Sequence, residues 1–98
     1  MLGFMSSDLL SDRYAARFGL PNMSCVELED FLQVLERVAV KNKGFFIFKV
    51  DGERGGNIYT FVLNVSTTKG VVIRKDACSI REGMVFLFCE LERAGIYP

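Results

Sequence analysis

The sequence predicts a single α+β domain of two layers, a three-stranded antiparallel meander packed against helices in the order α-α-β-β-β-α. Three observations predict it. Two Ser-x-x-Glu boxes, Ser24-Cys25-Val26-Glu27 and Ser79-Ile80-Arg81-Glu82, each open a stretch with apolar residues at three- and four-residue steps. Between them, Phe45-Phe46-Ile47-Phe48 and Ile58-Tyr59-Thr60-Phe61-Val62-Leu63 flank the glycine-rich turn Asp51-Gly52-Glu53-Arg54-Gly55-Gly56. The connections are short, which favours an antiparallel meander over crossovers. The chain has 98 residues, half of them hydrophobic, which is enough for one domain spanning residues 1–98.

Each element has its own signal. Residues 7–18 read as a short helix capped by Ser6 or Ser7, with Leu10, Tyr14 and Phe18 on one face and Gly19 and Pro21 as stops. The first capping box then predicts a helix over 25–41, with Leu28, Phe31, Leu32, Leu35, Val38 and Ala39 as its apolar stripe and Asn42 and Gly44 at its end. Strands follow over 44–51, 57–65 and 70–75. The first two read as apolar on both faces, which calls for a cover on each side. The last segment carries β-friendly Val85, Phe86 and Phe88, and Gly83 weakens a helix. Its ends decide for a helix over 80–94: a serine cap at one, Gly95-Ile96 suited to a Schellman stop at the other. A helix apolar nearly all round belongs centrally, against the sheet and beside the second helix.

Composition narrows the chemistry. The sequence has no histidine, so the commonest general base and metal ligand is absent. Cys25, Cys78 and Cys89 have neither zinc nor redox spacing and read as reduced, mostly buried thiols of a cytoplasmic protein. No apolar run is long enough to span a bilayer, and Met1-Leu2-Gly3-Phe4-Met5 lacks the basic start of a secretory signal. The glycines after Asp51 lack the lysine-serine pair of a phosphate loop. Glu27, Glu29, Asp30 and Glu36 form a solvated helix face. No catalytic residue, metal ligand or cofactor is expected.

Two binding readings remain. In the first, the chain is a protein-binding module of the inhibitor, immunity or accessory type. Its partner, another protein or a second copy as a homodimer, would meet the sheet face that the long helices leave open. Candidates for that face are Phe45, Ile47, Tyr59, Phe61 and Leu63. The competing expectation is that the first helix folds over it.

The second reading starts from charge. The net charge is zero, yet residues 41–81 hold eight basic and three acidic side chains, flanked by acidic ends. Over residues 24–94 the element order α-β-β-β-α resembles that of double-stranded-RNA-binding domains. Those domains use a lysine-rich start to their last helix, where this chain has Asp76, Ser79, Arg81 and Glu82. What the resemblance implies is a nucleic-acid partner for the basic region, with Arg74, Lys75 and Arg81 as candidate anion contacts.

Overall fold

A computed structural model describes residues 7–98. Four helices and three strands follow one another: α1 Ser7–Ala16, α2 Leu28–Lys41, β1 Phe45–Val50, β2 Tyr59–Val65, α3 Ser66–Lys69, β3 Val71–Ala77 and α4 Ile80–Ala94. The sheet is an antiparallel meander in the order β1-β2-β3, and the long helices α2 and α4 pack against it. This is the expected α+β architecture. The single turn α3 replaces an expected loop. Asn64 Oδ1 accepts from Ser66 N and Oγ at its start, and Gly70 ends it in the left-handed region at φ 69°.

Register decides which side of the sheet is buried. Phe46 pairs with Leu63, Phe48 with Phe61 and Val50 with Tyr59; Leu63 in turn pairs with Ile73 and Tyr59 with Ala77. Side chains alternate across a strand, so these residues share one face. That inner face receives the helices. Phe61, Leu63 and Val65 are fully buried there, together with Phe31, Leu35 and Val38 of α2 and Leu87, Phe88 and Leu91 of α4. The Phe61 ring meets Phe31, Phe46 and Phe48, with centroids 4.9–6.5 Å apart.

Gly83 has a positive reason to sit inside α4. A Cβ built there would lie 2.0 Å from Phe61 Cε1, so only glycine lets α4 seat directly on the ring. The residue that weakens the helix by propensity is the one that lets it approach the sheet.

The first helix lies elsewhere than on the second sheet face. α1 packs on α4, where fully buried Tyr14 stacks on Tyr97, touches Phe18 and Phe88, and donates its hydroxyl to Ile96 O at 2.8 Å. Arg17 forks onto Glu92 at 2.9 and 2.8 Å and lies 4.7 Å over the Tyr97 ring. The expected caps of α1, Ser6 and the Ser7 side chain, lie outside the described residues.

The two capping boxes behave differently. At α4, Ser79 Oγ accepts from Glu82 N at 3.1 Å, and Glu82 reaches back to Cys78 N at 3.0 Å. At the other end Gly95 N bonds Glu92 O and Ile96 N bonds Leu91 O, the expected Schellman pair. The first box is not used. Helix α2 starts at Leu28, its N-cap is Glu27, and Ser24 instead turns its hydroxyl onto Asn22 Oδ1. Long-range partners hold that segment: Arg81 Nη1 donates to Met23 O and Val26 O at 2.7 and 2.6 Å, and Asp12 accepts from Met23 N. At its far end α2 also stops on a Schellman pair, with Lys43 rather than a glycine at positive φ (53°) and Gly44 N bonded to Ala39 O.

Two serines in the same sequence pattern therefore differ in energetic weight. Ser79→Ala is expected to lower the unfolding free energy by about 0.5–2 kcal/mol, as a lost N-cap does. Ser24→Ala should stay within about 0.5 kcal/mol of the parent, as an ordinary surface change does. Urea denaturation of both variants checks the pair, and equal losses would contradict the assignment.

Candidate functional site, the outer face of the sheet

The outer face is a grid of nine side chains, three from each strand. Phe45, Asn64 and Val72 form one row; Ile47, Val62 and Arg74 the next; Lys49, Thr60 and Asp76 the third. The grid is apolar at one end and ionic at the other. Phe45, Ile47 and Val72 are 50%, 47% and 56% exposed, and Val62 between them is half-buried. Large apolar side chains gathered on one open face mark interaction surfaces more often than single exposed ones do.

The ionic end is closed by the hairpin loop. Arg54 folds back over the sheet and donates to Thr60 Oγ1 at 2.5 Å and Asp76 Oδ1 at 3.3 Å. Buried Thr60 donates its own hydroxyl to Asp76 Oδ1 at 2.7 Å, and Arg74 adds a contact at 3.3 Å. The Thr60 hydroxyl, then the Arg54 and Arg74 guanidiniums, hold the Asp76 carboxyl below its ordinary range. Asp51 is lowered chiefly by the Glu53 amide at 3.0 Å, with Lys49 and Arg54 adding to it. Lys49, Asp51, Arg54, Arg74 and Asp76 each have an opposite charge within 4 Å.

Register separates the five sequence candidates. Phe45 and Ile47 lie on the outer face. Tyr59, Phe61 and Leu63 lie on the inner one, Phe61 and Leu63 fully buried and Tyr59 half-buried beside Phe48. Assigning those three to the open face is therefore corrected. Val62 and Val72 are the residues the sequence reading missed. A signal for Val62 was present: Thr60 and Asn64 share its parity in β2, and a strand turns its polar parity outward. Only β1 is apolar on both sides.

The three candidate anion contacts do not converge. Arg74 is on the outer face against Asp76. Lys75 is on the opposite parity, 3.4 Å from Glu82 and 5.1 Å over the Phe86 ring. Arg81 gives its guanidinium to main-chain carbonyls. At the start of α4, where the resemblance places phosphate contacts, Glu82 is committed to the cap.

The thiols are less buried than expected: Cys25 and Cys78 are exposed and Cys89 is buried, all three free. Cys78 precedes a helix N-terminus, a setting that can activate a thiol. Here it donates to Glu82 Oε1 at 3.0 Å, and that hydrogen bond and the carboxylate charge push the thiol above its ordinary value. Among the described residues no group of three His, Cys, Asp or Glu side chains could hold a metal, and no helix is long and apolar enough to cross a membrane. Neither protein-family models, curated proteins nor solved structures match this chain.

The Cys78–Glu82 contact has a measurable sign. In Glu82→Gln, on a Cys25→Ser background, the pH midpoint for alkylation of Cys78 by iodoacetamide should fall, because the charge that opposes the thiolate is gone. A midpoint that stays or rises would contradict the contact.

Proposed function

We propose that this chain is a small non-enzymatic protein-binding module of the inhibitor, immunity or accessory type, acting in the cytoplasm and binding through the outer face of its sheet. One observation carries the reading. Phe45, Ile47, Val62 and Val72 adjoin one another on the outer face while α2 and α4 occupy the inner one and α1 lies on α4. An aromatic anchor among aliphatic neighbours, bordered by charged groups, has the anatomy of a protein interface: a core that excludes water and a rim that selects orientation. Phe45 is the anchor. Lys49, Asp51, Arg54, Arg74 and Asp76 form the rim, already paired among themselves, so they add specificity more than affinity. The absence of histidine and the carboxylate-held Cys78 thiol favour binding over catalysis. The dispersal of Arg74, Lys75 and Arg81 among protein partners favours a protein over nucleic acid.

The test compares capture of a partner from extract of the native cell by the wild type and three variants. Phe45→Asp and Val72→Asp should each cost about 2 kcal/mol or more of binding, the loss expected at a hot spot. Val40→Asp, on an exposed valine of α2 away from the sheet, is the control and should bind as the wild type does. A partner retained equally by all four would contradict the reading. So would salt-sensitive retardation of RNA or DNA in a gel that Arg74→Glu/Lys75→Glu abolishes.

A further inference from the structure

The two edges of the sheet are guarded unequally. β3 carries Arg74, Lys75 and Asp76 in succession, charges of the kind that keep an edge strand from pairing with another chain. β1 reads Phe45-Phe46-Ile47-Phe48-Lys49-Val50, with one lysine, no proline and no glycine. Asp51 N donates to Ile58 O at 2.8 Å, and these two residues continue the β1–β2 register by one step. Antiparallel ladders alternate, so the main-chain groups of Phe45, Ile47 and Lys49 point to β2. Those of Phe46, Phe48 and Val50 point away from the sheet. Among the described residues no strand pairs with that edge.

We infer that β1 is a self-pairing edge: two copies of this chain join antiparallel along it, with Ile47 opposite Ile47 of the second copy. This goes beyond the outer-face reading, because it uses the strand edge and its main-chain groups. A row of unpaired N–H and C=O groups selects an extended strand as its occupant. The sequence of β1 selects the second copy and the register: its one charge is Lys49, and pairing the strand with itself about Ile47 sets no like charges opposite each other. With Ile47 on the two-fold axis, Phe46 exchanges main-chain bonds with Phe48 of the second copy, and Phe45 lies opposite the aliphatic stem of Lys49. Raising the pairing sum by two puts Ile47 opposite Lys49 and Phe45 opposite Asp51, and raising it by four puts Lys49 opposite Lys49, so these registers waste apolar contact or oppose like charges. Lowering it by two leaves only residues 45–47 paired within the strands. The net charge of zero adds no overall repulsion. The joined sheets would have six strands, twice the three of one chain. Phe45 and Ile47 of both copies would lie at the centre of one continuous outer face, and the contact would be isologous and closed.

Non-hydrogen-bonded antiparallel neighbours have Cα atoms about 4.5 Å apart, within the range a disulfide spans. The experiment is therefore Ile47→Cys on a Cys25→Ser/Cys78→Ser background, oxidised with oxidised glutathione, beside Phe45→Cys and Lys49→Cys. The inference expects a covalent dimer from position 47 and little from 45 or 49. Sedimentation of the wild-type 98-residue chain should give a dimer at micromolar concentration. Ile47→Lys should abolish the dimer, with circular dichroism unchanged. A monomer by sedimentation, or equal cross-linking at all three positions, overturns the inference. Val72→Asp keeps the two readings apart: on β3, it should leave the dimer intact while weakening capture of an outer-face partner. An edge that fails with Val72 still required, or the reverse, shows which of the two is wrong.

Discussion

The contact between Gly83 and the Phe61 ring governs the rest of this structure. β2 is the central strand, and Phe61 is one of its two middle inward residues. A helix can come down onto that ring only where it has no side chain. Gly83 supplies the gap one turn into α4, and Phe61 then bridges α2, through Phe31, and the β1 aromatics Phe46 and Phe48. The backbone freedom lost by placing glycine in a helix, about 1 kcal/mol relative to alanine, is offset by packing that the close approach allows. With α4 fixed, its C-terminal half meets α1, and Tyr14 closes the end of the core by bonding Ile96.

What is left over on the other side follows from this. Once Tyr59, Phe61, Leu63 and Val65 are inward, strand alternation sends Thr60, Val62 and Asn64 outward, with Phe45 and Ile47 on one flank and Val72 and Arg74 on the other. The hairpin loop covers the ionic end of this face through Arg54, which satisfies buried Thr60 and leaves the apolar end open. An apolar end and a paired ionic end on one rigid sheet give a surface with direction: anchor at one side, orientation at the other. The main-chain edge of β1 borders the apolar end, so face and edge can serve one assembly together.

Much of the fold was legible in the sequence because the signals were local. Ser79, Glu82, Gly95 and Ile96 mark the ends of α4 by chemistry within a few residues, and they outweighed the β-friendly Val85 and Phe88. Where a distant group intervenes, the same local pattern misleads. Ser24 and Glu27 match the capping box as well as Ser79 and Glu82 do, but Arg81, from another helix, takes the carbonyls of Met23 and Val26 and fixes that segment as a turn. The site was half legible for a similar reason. Phe45 and Ile47 belong to a strand apolar on both sides and were found. Tyr59, Phe61 and Leu63 were placed on the wrong face because the loop from Asp51 to Ile58 leaves pairing register undetermined, and a slip of one residue exchanges the two faces. Arg81 shows the limit for charged side chains: nothing near it in sequence announces that its partners are main-chain carbonyls of residues 23 and 26.

The dependence of the fold on one glycine–ring contact is open to a direct measurement. A double-mutant cycle in urea would use Gly83→Ala, Phe61→Leu and the pair. Gly83→Ala alone should destabilise by about 1–3 kcal/mol or more, since the added methyl overlaps the ring. Phe61→Leu alone leaves a smaller side chain beneath the glycine. If the helix is seated on the ring, the methyl is accommodated in the double variant, and its loss is smaller than the summed single losses by about 0.5–3 kcal/mol. Losses that add to within about 0.5 kcal/mol would mean that Gly83 and Phe61 act independently, and would contradict the account.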